Sequence, residues 1–101
     1  MKYLINQTIS AEWDDNKNKQ NIKRHSLSFE TAALVFVDDF RLEFFDNNHS
    51  DEEERYITIG NVGEIIIVVY TLRGKSYRLI SARLATKTER QIYYGNRKNY
   101  C

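Results

Sequence analysis

Residues 64–83 read EIIIVVYTLRGKSYRLISAR, and this stretch decides the fold. Its first part, Glu64 to Leu72, is apolar on both faces, which predicts a strand in the centre of a sheet. Its last part, Ser76 to Arg83, predicts a second strand, and Arg73-Gly74-Lys75 between them predicts a tight turn. A connection this short joins only antiparallel neighbours, so the two strands form a hairpin.

Two more strands are predicted before this hairpin. Phe40 to Phe45 has an apolar side chain at every second position, and Arg55 to Gly60 follows an acidic loop at residues 46–54. Residues 61–63 form a turn of hairpin length. The short connections therefore predict a four-stranded antiparallel meander.

Two helices are predicted before the meander. Asp14 or Asp15 can cap a helix that runs to about Arg24, because a carboxylate there accepts hydrogen bonds from unpaired backbone N–H groups. Ser28 can cap a second helix, which packs one apolar stripe and runs from Phe29 to about Val37.

The two ends of the chain complete the predicted architecture. Thr86 and Glu89 form a capping box that starts a C-terminal helix, and Gly95 weakens or ends it. Alternating apolar residues from Ile9 to Trp13 predict a possible short N-terminal strand, with Trp13 in the core. We therefore expect an α+β fold with a four-stranded antiparallel sheet, two N-terminal helices and one C-terminal helix. The expected single domain spans residues 1–101, with a polar leader at 1–10, a core unit at 11–94 and a polar tail at 95–101.

Length and composition exclude several classes of protein. A chain of 101 residues matches one domain, and 42% hydrophobic with 29% charged residues is typical of a folded globular protein. The longest apolar run, Ile65 to Tyr70, is far shorter than the roughly 20 residues that span a bilayer. No signal-peptide pattern is present, and Cys101 is the only cysteine, which excludes an intramolecular disulfide. We expect a cytoplasmic protein.

The net charge of +1 conceals a strong segregation of charge along the chain. Residues 16–25 carry +4, residues 26–64 carry −8, and residues 65–101 carry +7, from eight basic side chains and one acidic one. A basic C-terminal third is suited to a polyanion or to an acidic protein partner. A solvated basic helix with internal ion pairs explains the same charges equally well.

Chemical motifs are mostly lacking, and the residues that remain favour one reaction. His25 and His49 have no metal-ligand spacing, residues 51–54 lack the EF-hand pattern, and no phosphate-binding glycine loop or nucleophilic serine motif occurs. We expect neither a metal nor a cofactor. Arginines, histidines and aromatic residues suffice for metal-free RNA cleavage, because RNA supplies its own 2′-OH nucleophile. Arginine can bind the phosphate, histidine or a carboxylate can move protons, and Tyr or Phe can stack on a base.

The parity of the last two strands constrains which arginines can cooperate. Arg73 lies at the turn end of the hairpin and Arg83 at its opposite end, so a straight hairpin keeps them well apart. Arg78 lies an odd number of residues from Arg83, so strict alternation places them on opposite faces. We interpret Arg78 first as half of a structural ion pair.

Three groups of residues, taken in their order and spacing, resemble one toxin family. They are Trp13-Asp14, Lys17, Asn21, Arg24-His25, Ser28-Phe29, Ala32 and Phe36; then Asp46, His49, Glu53-Glu54-Arg55 and Gly60; then Val69 to Arg73, Arg78 to Thr86, Glu89-Arg90 and Tyr93. Over about residues 11–94 the chain resembles the BrnT toxins. Ser26 replaces the family's usual Gly after the histidine, and Arg24 replaces its commoner Lys.

The resemblance implies a RelE-like fold and a ribonuclease toxin of a type II toxin–antitoxin system that inhibits translation. It implies, as a partner, a BrnA-like antitoxin with a ribbon-helix-helix DNA-binding part. The two proteins would form a heterotetramer that represses its own operon, so operator DNA would be reached only through the antitoxin.

The family motif and side-chain chemistry together select nine candidate site residues. The candidates for catalysis are Arg73, Arg83, His25, Glu54 and Arg55, and those for substrate binding are Lys17, Arg24, His49 and Arg78.

Most of the candidates also have a structural interpretation. Arg83 could pair with the acidic loop, Arg55 with its neighbouring glutamates, and His25 could cap a helix C-terminus. The others could be ordinary surface side chains: Arg73 at a turn, Lys17 on a helix, and Glu54 and His49 in a loop. A non-catalytic co-repressor, acting only through its antitoxin and operator DNA, is the alternative function.

Overall fold

The computed structural model describes residues 2–47 and 53–98. They form three layers, with one sheet between helices on its two faces. In chain order the strands are β1 (Lys2–Leu4), β2 (Ser10–Glu12), β3 (Leu42–Phe45), β4 (Tyr56–Asn61), β5 (Ile65–Arg73) and β6 (Ser76–Leu84). The helices are α1 (Asp15–His25), α2 (Phe29–Ala32), which continues as a 3₁₀ turn (Ala33–Val37), and α3 (Lys87–Lys98).

The predicted α+β architecture is confirmed, and the meander β3–β6 pairs antiparallel throughout. Strand and helix bounds differ from the predicted ones by one or two residues, and the second helix tightens to a 3₁₀ turn after Ala32.

Among the described residues the sheet has six strands in the order β1-β2-β6-β5-β4-β3, and the pairs β2–β6 and β1–β2 were not predicted. The predicted N-terminal strand β2 runs parallel to β6, so the sheet is mixed rather than purely antiparallel. Part of the predicted polar leader also enters the sheet, as the edge strand β1. Alternation identifies a strand but carries no information about its direction. The parallel pair joins residues that are 66 positions apart, including Ser10 and Ser76, whose hydroxyls hydrogen-bond at 2.6 Å.

Local capping signals explain where the helices begin and end. The Asp14 carboxylate accepts from the backbone N–H of Asn16 at 2.8 Å, and the Ser28 hydroxyl accepts from that of Thr31 at 3.1 Å. Helix α3 begins at the predicted capping box, but it continues through Gly95 to Lys98. Of the two outcomes expected at Gly95, a weakened or an ended helix, the second does not occur, because an interior glycine costs only about 1 kcal/mol relative to alanine.

The two faces of the sheet are covered unequally. The face that we call the helix-pair face packs Ile66, Val68 and Leu79 against α1, α2 and the 3₁₀ turn, with Trp13 and Phe36 buried between the layers. On the opposite face, which we call the α3 face, a smaller cluster forms beneath α3. Its buried members are Ile59, Ile65, Ile67, Ala85 and Tyr93.

Two contacts hold the meander against its neighbours. Asp38 accepts from the Tyr93 hydroxyl at 2.7 Å and from the Asn61 backbone at 2.8 Å, which ties α3 to β4. Gly60 lies so close to the 3₁₀ turn that an added Cβ would clash with Val35. In the described part of the chain, no helix is both long and apolar enough to cross a membrane.

Candidate active site

A β-bulge in β6 changes which arginines share a face. Val69 pairs with Ser81, but the next residue, Tyr70, pairs with Leu79, so Ile80 is an extra residue in the strand. As a result Arg78 pairs with Thr71 and Arg83 pairs with Ile67. Residues at odd positions of β5 all lie on the α3 face, so Arg78, Ser81 and Arg83 lie there too. The prediction that Arg78 and Arg83 point to opposite faces is wrong, because parity counting assumes an unbroken ladder.

Asn21 secures α1 to the bulged strand. Strand β2 covers the outer edge of β6 only as far as Arg78, and α1 takes over beyond it. The buried Asn21 amide donates to the Ala82 carbonyl at 2.8 Å and accepts from the Ala82 N–H at 3.1 Å, as a neighbouring strand would. It also donates to the Leu27 carbonyl at 2.9 Å. Asn21 was not among the predicted site residues, although a poor helix former inside a helix is a usable signal for such a contact.

A cleft of about 220 Å³ lies between α1 and the bulge of β6. Positions 17, 20 and 24 share one face of the helix, so Lys17 and Arg24 project along the same side. Three predicted site residues are thereby brought together: Lys17 and Arg24, both exposed, and His25, exposed at the last residue of α1. The full lining is Lys17, Gln20, Asn21, Arg24 and His25 from α1, with Ile80 and Ser81 from β6.

Arg83 forms a two-pronged ion pair with Glu89 at the start of α3. Its Nη1 and Nη2 donate to the two carboxylate oxygens at 2.8 and 2.9 Å. The hydrogen bonds from Arg83 lower the pKa of Glu89 to about 2, and the same bonds raise the pKa of Arg83. The expected pairing of Arg83 with the acidic loop does not occur among the described residues, because α3 supplies a nearer carboxylate.

The other two arginines of the α3 face also pair with glutamates. Arg78 donates to Glu12 of β2 at 2.9 Å, and Arg73 lies 3.1 Å from Glu53. Arg78 also lies near the start of α1. The pKa of Asp14 is lowered chiefly by the backbone N–H of Asn16, and the charges of Lys17 and Arg78 lower it further.

Arg73 and Arg83 remain apart, as the hairpin predicts. Arg83 pairs with Ile67, six residues from Arg73 along β5. At about 3.3 Å per residue, this separates the two backbone positions by roughly 20 Å. The extra residue in β6 does not shorten this distance along β5, so the two side chains are too far apart to bind one phosphate together.

Glu54 and Arg55 lie near the Arg73 end of the sheet. Thr71 donates to the Glu54 carbonyl at 2.7 Å, and the Tyr56 hydroxyl donates to the Glu54 carboxylate at 2.9 Å, which raises the pKa of Tyr56. The carbonyl of Arg55 accepts from the backbone N–H of Asp46 at 2.8 Å. Strand β5 separates these residues from the cleft. His49 lies outside the described residues.

One group of aromatic side chains, centred on Tyr70, packs together inside the fold. Tyr70 contacts Phe36, Tyr56 and Tyr77 at ring-centroid distances of 5.0 to 5.6 Å. This array lies on the helix-pair face, so it offers no base-stacking surface beside the cleft. Among the described residues, no group of three His, Cys, Asp or Glu side chains is arranged to hold a metal ion.

Comparison with known families decides the relationship. Residues 13–89 match the family model described as the ribonuclease toxin BrnT of type II toxin–antitoxin systems. The chain belongs to the BrnT family. The matched range contains the cleft, the bulge and the Arg83–Glu89 pair. The family resemblance read from the sequence is therefore confirmed, and membership of a type II system implies a cognate antitoxin as partner.

A solved structure gives the same result for the fold. The chain is similar to the Brucella abortus ribonuclease toxin BrnT, known from a crystal structure at 1.1 Å resolution, with a TM-score of 0.59 and 26% sequence identity. The match covers 76% of this chain and 96% of the Brucella chain. A search of curated proteins gave no match.

Proposed function

We propose that this BrnT-family toxin cleaves RNA without a metal ion at the cleft between α1 and β6. The observation that carries the proposal is the bulge at Ile80. It places Arg78 and Arg83 on one face, on either side of Ser81, which itself lines the cleft beside Lys17 and His25. Arg78 and Arg83 pair with Thr71 and Ile67, which are four residues apart along β5, so their backbone positions are roughly 13 Å apart with Ser81 about midway between them.

The proposed reaction uses the nucleophile that RNA carries. The 2′-oxygen attacks the adjacent phosphorus in line and loses its proton, while the 5′-oxygen leaves and gains one, so a 2′,3′-cyclic phosphate forms. The Arg83 guanidinium stabilises the negative charge that develops on the phosphate. His25 accepts the proton that the 2′-oxygen loses and donates the proton that the 5′-oxygen gains. Arg78, Lys17 and Arg24 bind the flanking phosphates.

Arg73 lies far from this centre and is assigned a lesser part. We propose that Arg73 contacts the RNA backbone away from the cleaved bond. Its side chain is half-exposed, and it lies six residues along β5 from Ile67, the residue that pairs with Arg83. Glu54 and Arg55 share that end of the sheet. Glu54 remains the second candidate base, and its pairing with Tyr56 makes it a weaker one than His25.

The cellular consequence follows from RNA cleavage. Loss of intact RNA inhibits translation, and we propose that a BrnA-like ribbon-helix-helix antitoxin neutralises the toxin in a heterotetramer that represses its own operon. The basic segments at residues 16–25 and 65–101 favour an acidic antitoxin segment as their partner, through electrostatic steering. In this arrangement operator DNA contacts only the antitoxin.

The deciding experiment is an RNA cleavage assay in the presence of EDTA. The purified chain should convert a labelled RNA into products that end in 2′,3′-cyclic phosphate. Cleavage that requires added Mg²⁺ would contradict the metal-free mechanism. A chain that leaves RNA intact under both conditions, yet supports operator binding by its antitoxin, would support the co-repressor alternative.

A further inference from the structure

We propose that Glu89 is a positioning residue that holds the Arg83 guanidinium in the orientation that binds the phosphate. The inference rests on the proposed role of Arg83 in RNA cleavage and names the group through which that role is sustained. From the sequence, Glu89 belongs to a helix cap and to the family resemblance, and it is not among the candidate site residues. The structure gives the same carboxylate a second task, because both of its oxygens accept from Arg83.

The carboxylate of Glu89 is itself fixed in place. Its Oε1 accepts from the backbone N–H of Thr86 at 2.8 Å, and its own backbone N–H donates to the Thr86 hydroxyl at 3.2 Å. These two hydrogen bonds are the capping box that begins α3. Arg83 is therefore anchored to a group whose position is set by the helix start, not to a mobile surface side chain.

The contacts of Arg83 leave one edge of its guanidinium available. Nη1 donates to Glu89 and to the Leu84 carbonyl at 3.2 Å, and Nη2 donates once, to Glu89. Within the described part of the chain, the Nε–H and the second Nη2 hydrogen make no other hydrogen bond. These two donors lie on the same edge, and such an edge can bind two oxygens of one phosphate.

The other arginines of the α3 face lack this arrangement. Arg78 reaches one oxygen of Glu12 through Nη1, and Arg73 reaches one oxygen of Glu53 through Nε and Nη2. Arg73 thus uses the edge that Arg83 leaves open. Only at Arg83, among these three, is the guanidinium plane fixed by two parallel hydrogen bonds.

Fixing the guanidinium before substrate binds is what preorganisation requires. Donors aimed in advance at developing charge need no reorganisation during the reaction. A displacement of about 1 Å at a reacting centre can cost roughly 100-fold in rate. The low pKa of Glu89, about 2, keeps its carboxylate ionised at every pH where RNA cleavage is assayed.

The test measures single-turnover RNA cleavage by Glu89→Gln. The maximal rate should fall by roughly 10- to 100-fold, while the RNA concentration at half-saturation stays level or falls, since removing an acidic charge does not weaken RNA binding. Glu30→Gln is the charge-matched control, because Glu30 is exposed and accepts from Asn18 at 2.7 Å. Thr86→Ala is the cap-matched comparison: it removes the Thr86 hydroxyl but keeps the backbone N–H that donates to Glu89, so it should lower thermal stability and reduce the rate per folded molecule less than Glu89→Gln does.

The double variant Arg83→Ala/Glu89→Gln tests whether Glu89 acts through Arg83. In the Arg83→Ala background, Glu89→Gln should cause no further loss of rate. Should Glu89→Gln not fold, Glu89→Asp takes its place, because the shorter carboxylate keeps its charge and cannot reach the guanidinium as before. The same loss of rate is expected.

The outcomes separate this inference from the proposed function. If Arg83→Ala cleaves as fast as the parent, the proposed role of Arg83 is wrong. If Arg83→Ala is inactive but the Glu89 variants cleave as fast as the parent or faster, Arg83 is needed and the positioning role is overturned. An additional loss in the double variant would also overturn it, since Glu89 would then act on its own.

Discussion

The helix-pair face and the α3 face of the sheet are made by the same two long strands, and they differ in almost every property. On the helix-pair face, Trp13 and Phe36 are each 1% exposed. On the α3 face, helix α3 covers only one end of the sheet. Beyond it, Arg78 and Arg73 form ion pairs with Glu12 and Glu53 at the surface. One face excludes water, and the other keeps cations within reach of a polyanion.

The bulge at Ile80 makes this separation possible. Leu79 and Ala82 are both buried on the helix-pair face, although they are three residues apart. In an unbroken strand one of them would turn outward, and either Arg78 or Arg83 would be forced beneath the helices. Burying an unpaired guanidinium would cost several kcal/mol, so the extra residue is the cheaper solution. The comparison predicts that substitutions on the α3 face change activity, and that substitutions behind the helix-pair face change stability.

The largest expected effect is that of Arg83→Ala on RNA cleavage. Removing one preorganised donor from a site of developing charge typically costs about 2.7–4 kcal/mol, or roughly 100- to 1000-fold in rate. Arg73→Ala should cost less than about tenfold, because an exposed charge contact is worth about 1 kcal/mol or less. Single-turnover cleavage assays on folded protein, checked by circular dichroism, measure both.

Arg41→Ala serves as the control for charge removal. Arg41 pairs with Glu43 at 3.3 Å, beside β3. The substitution Arg41→Ala should therefore leave the rate of RNA cleavage unchanged. If Arg73→Ala proves as damaging as Arg83→Ala, the reactive phosphate lies nearer the turn end of the hairpin, and the cleft between α1 and β6 is not the centre of the reaction.

The second prediction concerns Asn21, on the helix-pair side. Asn21→Ala removes the partners of the Ala82 N–H, the Ala82 carbonyl and the Leu27 carbonyl. Each buried polar group left unpaired costs about 1–3 kcal/mol, and water can satisfy part of this set, so we expect a loss of about 2–4 kcal/mol. Urea unfolding measures it as a lower midpoint at unchanged slope. The exposed neighbour Gln20→Ala should stay within about 0.5 kcal/mol of the parent. An equally small change for Asn21→Ala would show that α1 does not depend on this contact.

Most of the fold could be predicted because its signals are local. Asp14, Ser28 and Thr86 cap their helices through side chains next to the backbone groups that they satisfy. The meander follows from alternation and short turns. The direction of β2 could not be predicted, since its partner lies 66 residues away and alternation is the same in both directions.

The candidate site was predicted in its residue types and not in its geometry. The family resemblance supplied Lys17, Arg24 and His25, which the structure brings to one cleft. Parity failed for Arg78, because one extra residue in a strand reverses every later side chain. The apolar pair Leu79 and Ala82, three residues apart in an otherwise alternating strand, was the signal that could have revealed the bulge.

The third prediction tests the ion pair of Arg83 and Glu89 through pH. The pKa of Glu89 is lowered from 4.5 to about 2, so the folded state binds this proton less readily than the unfolded state. The pair therefore stabilises the fold above pH 4.5, and this contribution is lost as the pH falls towards about 2. The difference in unfolding free energy between the parent and Glu89→Gln should shrink over that range. A difference that stays constant from pH 7 to pH 2 would show that the carboxylate gains nothing from Arg83.

The smallest expected effect is a gain in stability from Ser26→Gly, at the end of α1 beside the cleft. Ser26 has a φ of 55° and is the only non-glycine residue with positive φ in the described part of the chain. A left-handed conformation costs a residue with a Cβ about 1–2 kcal/mol, and glycine avoids that cost. Glycine also loses more backbone entropy on folding, which offsets part of the gain, so we expect about 0.5–1 kcal/mol in urea unfolding. The family's usual glycine at this position agrees with the sign. Because the N–H of Ser26 donates to the Ile22 carbonyl at 2.8 Å and glycine keeps that bond, His25 should stay in place and the cleavage rate should not change. A loss of stability would mean that the serine side chain contributes more than its backbone strain removes.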